Sequence, residues 1–409
     1  MVRRIRALCL VILVVAVSIH AWDLSRPGLV DRTGRLKVPD FLQFYTYGAL
    51  LREGHAAALY DATAHADVAR RRVDPRLALS NFHPNYSPII ALVMAPLSAA
   101  TFLQAAVLWS GISALLYGIS MWLLVRCTEN VRRDPLTVAL VAASWPALFV
   151  LLRYGQISSL TLALVSLSAF FHHRRADVAA GLALGAIVYK PNLLVAPLLL
   201  FLIQREWRIA LGAVLGASLE LALDVALTGP SAMSEYVGIL VTLAARPELV
   251  QIYAVESHSL RGFARMMMGN TAILQIVAVA AVVSGVWAAM VVWRGTSDVR
   301  PRYASLVLAM AISSPHLLTY DLLLLAVPLV FMVDSAVSDR ALGAHTGWRW
   351  ALALMFLGAW PGTLIAKLYG VQMSTIGMAM GLWLLADYST RRLRNVAGAS
   401  SSINPIIIS

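Results

Sequence analysis

Asp40 lies in Val38-Pro-Asp-Phe-Leu-Gln-Phe-Tyr-Thr-Tyr-Gly48, a carboxylate followed by aromatics just after the first long apolar segment of the chain. At the water boundary of a helical bundle such a group can take the proton of an attacking hydroxyl. The plainer reading, an Asp capping a short helix that begins near Phe41, fits the same residues. Other polar side chains gather at apolar-segment ends on the same expected side. Asn81-Phe-His-Pro-Asn-Tyr-Ser-Pro88 supplies His83, Asn85 and Tyr86, and Tyr154-Gly-Gln-Ile-Ser158 supplies Gln156. Tyr189-Lys-Pro-Asn192 supplies Lys190, and Glu256-Ser-His-Ser-Leu-Arg-Gly262 supplies Glu256, His258 and Arg261. Ser313-Ser-Pro-His-Leu-Leu-Thr-Tyr-Asp321 adds His316, Tyr320 and Asp321.

This set suits glycosyl transfer from a lipid phosphate. Asp40 is the candidate general base, while Lys190, Arg261 and His316 are the candidates to stabilise a departing phosphate. Gln156 and Asn85 are neutral partners for sugar hydroxyls. His83, Tyr86, Glu256, His258, Tyr320 and Asp321 complete the substrate-facing set. Taken singly each has a bland reading: Gln156 satisfies a turn, Lys190 snorkels and His316 caps a helix. The same residues would equally suit a lipid-linked substrate that is flipped or only bound.

The elements that must position them are membrane helices. Of 409 residues 59% are hydrophobic and only 13% charged, which excludes an ordinary soluble domain and indicates an all-α polytopic membrane protein. Apolar segments near 5–22, 100–125, 135–153, 157–172, 176–190, 192–204, 208–227, 271–293, 303–316, 319–333, 349–366 and 371–387 predict twelve crossings. Several are short of about 20 residues, and the pairs 176–204 and 303–333 read as broken or partly buried helices. Ser87–Pro96 reads as re-entrant or interfacial. Residues 1–390 form a single domain with two long outside loops, 23–86 and 228–270, and 391–409 form an inside tail. In the first loop, 41–52 and 59–72 predict amphipathic helices lying on the membrane surface; the plainer reading is that they plug the mouth of the bundle.

Charge orients this map. With the N-terminus inside, the inside segments hold 18 of the 33 Lys and Arg, while the short outside turns hold Arg153, Lys190 and Lys367. The net charge of +12 then follows from topology and anionic lipid, with no call for nucleic acid. Met1–Trp22, basic then apolar, is read as a first span rather than a cleaved leader. Cys9 and Cys127 form no redox or metal pattern, and no carboxylate or histidine spacing suggests a divalent metal. No cofactor is expected. Glu220 and Asp224, one helical turn apart in the seventh segment, read as packing or cavity lining. They are also the midspan exceptions that a second reading, a transporter or flippase for a polar lipid, would use. A catalytically inert scaffold is a third.

In order and spacing these motifs resemble the membrane-embedded GT-C glycosyltransferases, specifically glycosyltransferase family 87. The resemblance covers roughly residues 35–335. It is carried by Pro39-Asp40-Phe41 with Tyr45 and Gly48, Leu59-Tyr60-Asp61, Tyr86-Ser87-Pro88 and Ala95-Pro96-Leu97. Gly155-Gln156, Ala180-Gly181-Leu182 with Gly185, Lys190-Pro191, Ser259-Leu260-Arg261-Gly262 and Ser314-Pro315-His316 to Tyr320-Asp321 continue it. It implies a GT-C-type bundle and inverting transfer of a hexose, by default mannose, from a polyprenyl-phosphate-linked donor to a glycolipid or glycan acceptor. It also implies a site on the outer side of a bacterial cytoplasmic membrane. Asp40 matches the family's catalytic acidic position in the first outside loop, and Lys190 and His316 match positions for donor phosphate and site architecture. Ser87-Pro88 replaces a more usual pair of prolines, and Glu256-Ser-His-Ser259 a more usual Asn-Gln-Ser type, which bears on the substrate.

Overall fold

The computed structural model describes residues 2–77, 84–246, 249, 254–269 and 271–401, and no strand occurs among them. The chain is an all-α polytopic membrane protein with nineteen α-helices among the described residues. Helix α1 (Val2–Leu24) turns Leu8, Leu10, Val11 and Val14 outward, as a lipid-facing span should. Two ion pairs pin its ends to the bent pair α6–α7 described below. Arg6 meets Asp134 at 2.7 Å and Asp23 meets Arg153 at 2.6 Å.

The first loop folds against the bundle instead of lying on its surface. Helix α2 (Phe41–Arg52) buries Phe41, Leu42, Phe44 to Leu50 inclusive, on every face, because aromatic and small residues run all round it. The expected surface orientation of 41–52 is therefore corrected: α2 is a core helix. Helix α3 (Ala62–Arg72) is amphipathic as expected, burying His65, Val68 and Ala69 while Asp67, Arg70 and Arg71 face out. The buried pair Thr46 Oγ1 and His65 Nδ1, 2.7 Å apart, ties α2 to α3. His83 falls outside the described residues. Helix α4 (Pro88–Met94) is a single short helix, in keeping with a re-entrant or interfacial segment.

Helix α5 (Phe102–Arg126) opens with a Thr101–Gln104 capping box and is long enough to cross a membrane. Helices α6 (Pro135–Ala143) and α7 (Pro146–Tyr154) form one span bent by 46° where Pro146 interrupts the backbone ladder. Helices α8 (Ser158–His173), α9 (Asp177–Gly185) and α10 (Val195–Gln204) follow, each short. Helix α11 (Trp207–Ala245) has 39 residues, far more than one crossing needs, and breaks at Gly229 (φ 81°, ψ 165°) before Pro230. The second outside loop, expected from 228, thus begins with a further sixteen helical residues. Helix α12 (Leu260–Met268) follows, then α13 (Ile273–Gly295) and α14 (Val299–Ser313). A 3₁₀ turn over Thr319–Leu325 leads into α15 (Ala326–Ser338). The chain ends in α16 (Arg340–Ala344), α17 (Thr346–Leu357), α18 (Trp360–Tyr369) and α19 (Met373–Ser401).

By length and composition five helices among the described residues can cross a membrane, or seven if each bent pair counts as one span. Several of the twelve expected segments fall on helices shorter than one full crossing, α8, α9, α10 and α14 among them. An apolar run signals burial, but whether lipid or protein does the burying is not written in it. Helix α14 illustrates this, since every residue except Arg300 and Arg302 is buried inside the bundle. Two cores result. One joins α2, α3, α4 and the start of α5 through Phe41, Phe44, Tyr47, Tyr60, Phe102 and Trp109; the other fills the bundle around α14 and α15.

Candidate active site

Asp40 sits where the two cores meet. It precedes α2 in the N-cap position, with helical dihedrals (φ −75°, ψ −21°), but its side chain caps nothing. Its Oδ2 instead accepts a 2.6 Å hydrogen bond from Gln156 Nε2, and its backbone N–H donates to Tyr154 O at 3.1 Å. The capping reading of Asp40 is thereby replaced. The Tyr154–Gln156 turn can approach this closely because Gly155 is left-handed (φ 72°). A Cβ there would stand 2.2 Å from Val38 Cγ1 and 2.7 Å from Phe41 Cβ. Burial pushes the Asp40 carboxyl up to about 6; the Gln156 hydrogen bond pulls it down and nearby Glu256 pushes it further up.

A cavity of about 830 Å³ opens from Asp40. Ten of the expected site residues line it: Asp40, Asn85, Tyr86, Gln156, Lys190, Glu256, Arg261, His316, Tyr320 and Asp321. Asn85 Oδ1 accepts from Gln43 Nε2 at 3.1 Å, so Asn85 is held by α2. The Tyr86 hydroxyl reaches Gln156 Oε1 at 3.4 Å, and its ring meets Phe44 edge-on with centroids 5.0 Å apart.

Further in, Lys190 is no snorkelling anchor. Both Lys190 and Asp321 are about nine-tenths buried, and Lys190 Nζ donates to Asp321 Oδ1 at 2.6 Å. The Tyr320 ring lies under the same ammonium, 5.9 Å from its centroid. Arg261 is placed by the first turn of α12, which Ser259 caps by accepting from Gly262 N–H. A short pairing holds this turn against the 314–318 segment, with His258 N–H donating to Leu317 O at 2.7 Å. That pairing brings Arg261 to His316. Asn192 Nδ2 then fixes the segment by donating to Ser314 Oγ at 2.7 Å and His316 O at 3.3 Å. Burial and the Arg261 charge push His316 down to about 4, so its imidazole is neutral. Its Nδ1 is buried with no hydrogen-bond partner among the described residues, and it caps no helix. Burial also raises Glu256, against the pull of Lys367 and Arg35.

One expectation differs. His258 does not line the cavity: it is fully buried behind it, with Nδ1 2.6 Å from Ser374 Oγ and Nε2 3.0 Å from Thr319 Oγ1. It is a strut that braces the Arg261 turn. Of the two roles expected for Glu220 and Asp224, packing and cavity lining, neither residue lines this cavity, and Asp224 accepts from the Ser87 hydroxyl.

Residues not anticipated also line the cavity, among them Gln43, Tyr154, Tyr189, Asn192 and Gln275. Two carried a signal. Gln43 stands one turn after Asp40 and so shares its helix face, and Gln275 is a polar residue inside an apolar span. The far wall is apolar, made by Leu240, Leu243 and Ala244 of α11 and Ala278, Val279 and Val282 of α13. Val279 lines the cavity and belongs to the exposed stripe Ile276, Val279, Val283 and Trp287 of α13, a helix long and apolar enough to cross a membrane, so this wall borders an exposed apolar face.

Against models of known families, the chain matches Glycosyltransferase family 87 over residues 82–319, more than half its length. Asp40 precedes the matched segment, and Tyr320 and Asp321 follow it; Lys190, Arg261 and His316 lie within it. Comparison with curated proteins and with solved structures gives no match.

Proposed function

Because this chain belongs to glycosyltransferase family 87, we propose that it moves a hexose, by preference mannose, from a polyprenyl-phosphate-linked donor to a glycolipid or glycan acceptor. The observation that carries this reading is the continuity of one cavity. It runs from the Asp40 carboxylate, past Lys190, Arg261 and His316, to an apolar wall that borders an exposed apolar face. A charged head beside such a wall suits a phosphate carried on a long hydrocarbon, which can enter sideways while the acceptor comes to the Asp40 end.

The positions of the groups support the following step. Asp40 takes the proton of the acceptor hydroxyl, whose oxygen bonds to the anomeric carbon as the bond from that carbon to the phosphate oxygen breaks. The electron pair leaves on the phosphate, and attack from the opposite face inverts the centre. Arg261 supplies charge to the leaving phosphate, and neutral His316 offers Nδ1. Lys190, engaged by Asp321, adds positive charge at the same place. Asn85 and Tyr86 face the sugar end. The proposal assigns no metal ion and no cofactor. The positive-inside pattern supports a bacterial cytoplasmic membrane with this site facing outward.

The test is transfer of radiolabelled mannose from polyprenyl-phosphate-mannose to membrane glycolipids by the purified protein, with Asp40→Asn beside it. The wild type should label lipid, and the variant should be slower by about 10²–10⁴-fold, the usual worth of a general base. Equal rates would remove Asp40 as the base. Transfer from a nucleotide sugar but from no polyprenyl-linked sugar would overturn the donor class.

A further inference from the structure

We propose that Gln156 is a positioning residue for the Asp40 carboxylate, holding it ionised and aimed into the cavity, and is not a sugar ligand. The inference rests on the reading of Asp40 as the base.

The geometry engages both ends of the Gln156 amide with protein partners. Its side chain is buried, 3% exposed. Nε2 donates to Asp40 Oδ2 at 2.6 Å, and Oε1 accepts from the Tyr86 hydroxyl at 3.4 Å. This orientation follows from chemistry: an ionised carboxylate only accepts, so the amide must turn its N–H toward Asp40 and its oxygen toward the tyrosine. A donor fixed in that sense favours the charged carboxylate over the protonated one. It also leaves Asp40 Oδ1 unclaimed by the amide.

The amide is itself seated. Trp109 Nε1, on α5, donates to Gly155 O at 3.1 Å and Gln156 O at 3.3 Å, so the backbone of the turn cannot swing away. The Asp40 N–H to Tyr154 O hydrogen bond fastens the same turn to the other side of the carboxylate's own residue. Side chain and main chain of one three-residue turn thus hold one aspartate at two points. That is how a flexible residue before a helix is held to the tolerance that proton transfer requires.

The titratable groups around Asp40 are Glu256 before α12, Tyr86 before α4, Tyr154 on α7 and Tyr320 with Asp321 on the 3₁₀ turn. Lys190 lies beyond them across the cavity. Of these only Tyr86 touches Gln156, through its 3.4 Å hydroxyl contact, and the rest are untouched by altering Gln156. The acid limb of the rate profile then reads chiefly the 2.6 Å contact between Gln156 and Asp40.

The test is the pH dependence of kcat/KM for Gln156→Met, which keeps side-chain length and removes the donor. The tryptophan bonds go to backbone carbonyls and are retained. We expect kcat to fall by about tenfold to a hundredfold and the acid limb to move up by about one pH unit, with both KM values within about twofold. Gln156→Asn keeps the amide but withdraws it by one methylene; it should shift the limb in the same direction and gives the readout should the methionine variant fail to fold. A raised KM for the sugar donor with the acid limb unmoved would overturn the proposal and make Gln156 a sugar ligand. Asp40→Asn separates the two levels. If it is inactive and Gln156→Met adds nothing to it, both readings stand. An active Asp40→Asn defeats the base reading, whereas an inactive Asp40→Asn with an unshifted Gln156→Met defeats only the positioning role.

Discussion

Lys190 Nζ lies 2.6 Å from Asp321 Oδ1, joining two residues 131 positions apart inside the bundle. Ser158 completes the contact: its hydroxyl donates to the same Oδ1 at 2.5 Å and accepts from Lys190 Nζ at 3.3 Å. A buried pair of this kind adds little over a well-packed apolar pair, yet removing one partner leaves an uncompensated charge. Lys190→Met and Asp321→Asn should therefore each cost about 3–5 kcal/mol of stability, while the double variant recovers much of the loss. Thermal unfolding in detergent measures all four proteins. Losses that simply add would show that the two residues do not stabilise one another. Activity separates the roles further. If Lys190 also meets the donor phosphate, Lys190→Met in the Asp321→Asn background raises the donor KM although stability is restored.

This pairing shows what could and could not be read along the chain. Lys190, Asp321 and Gln156, which line one cavity, stand out as candidates because polar side chains at apolar-segment ends are costly and so need a reason. Which of them face one another depends on contacts more than a hundred residues apart, and no local spacing encodes that. Helix α2 was legible as a helix but not as a buried one, since its aromatics fit a surface stripe as well as a core. Crossings are hard to delimit for a related reason: α14, of 15 residues, is covered by protein on nearly every face, so its ends carry no lipid-facing signal. Gln275 was overlooked because the apolar run around it was read only as a membrane segment. The catalytic candidate itself was legible from position, while its hydrogen bond to Gln156 was not.

His258 offers a test on stability alone. Burial pushes its imidazole down to about 3, with Asp321 opposing weakly. Unfolded, it titrates near its ordinary value of about 6.5. Between those values the unfolded chain binds a proton that the folded chain does not, so this residue's contribution to stability falls as pH drops below about 6.5. The slope from one such group approaches about 1.4 kcal/mol per pH unit. His258→Gln removes the proton and retains hydrogen-bonding capacity toward Ser374 and Thr319. Unfolding free energy measured from pH 7 to pH 5 should therefore decline less steeply in the variant than in the wild type. Parallel declines would mean that the imidazole is protonated in place. Both proteins should share the same donor KM, because His258 braces the Arg261 turn without lining the cavity.

The position of Lys190 also depends on how closely α9 and α11 approach. A Cβ built on Gly181 would stand 2.1 Å from Ile209 O, and one on Gly185 2.1 Å from Ala213 O. From the other helix, a Cβ on Gly212 would stand 2.2 Å from Val178 O. These are backbone contacts, which no rotamer change can relieve, so the two helices must separate to admit even a methyl group. Gly212→Ala should therefore cost about 1–3 kcal/mol or more. Gly118→Ala is the matched control on α5, where nothing lies within 4 Å of the added carbon, and it should be neutral or stabilising by up to about 1 kcal/mol. Helix α9 ends at Gly185, five residues before Lys190. Parting it from α11 therefore moves the buried ammonium relative to Asp321 and lowers transfer as well as stability. Thermal unfolding of the two alanine variants decides the matter: equal midpoints would show that the close approach places no constraint on the bundle.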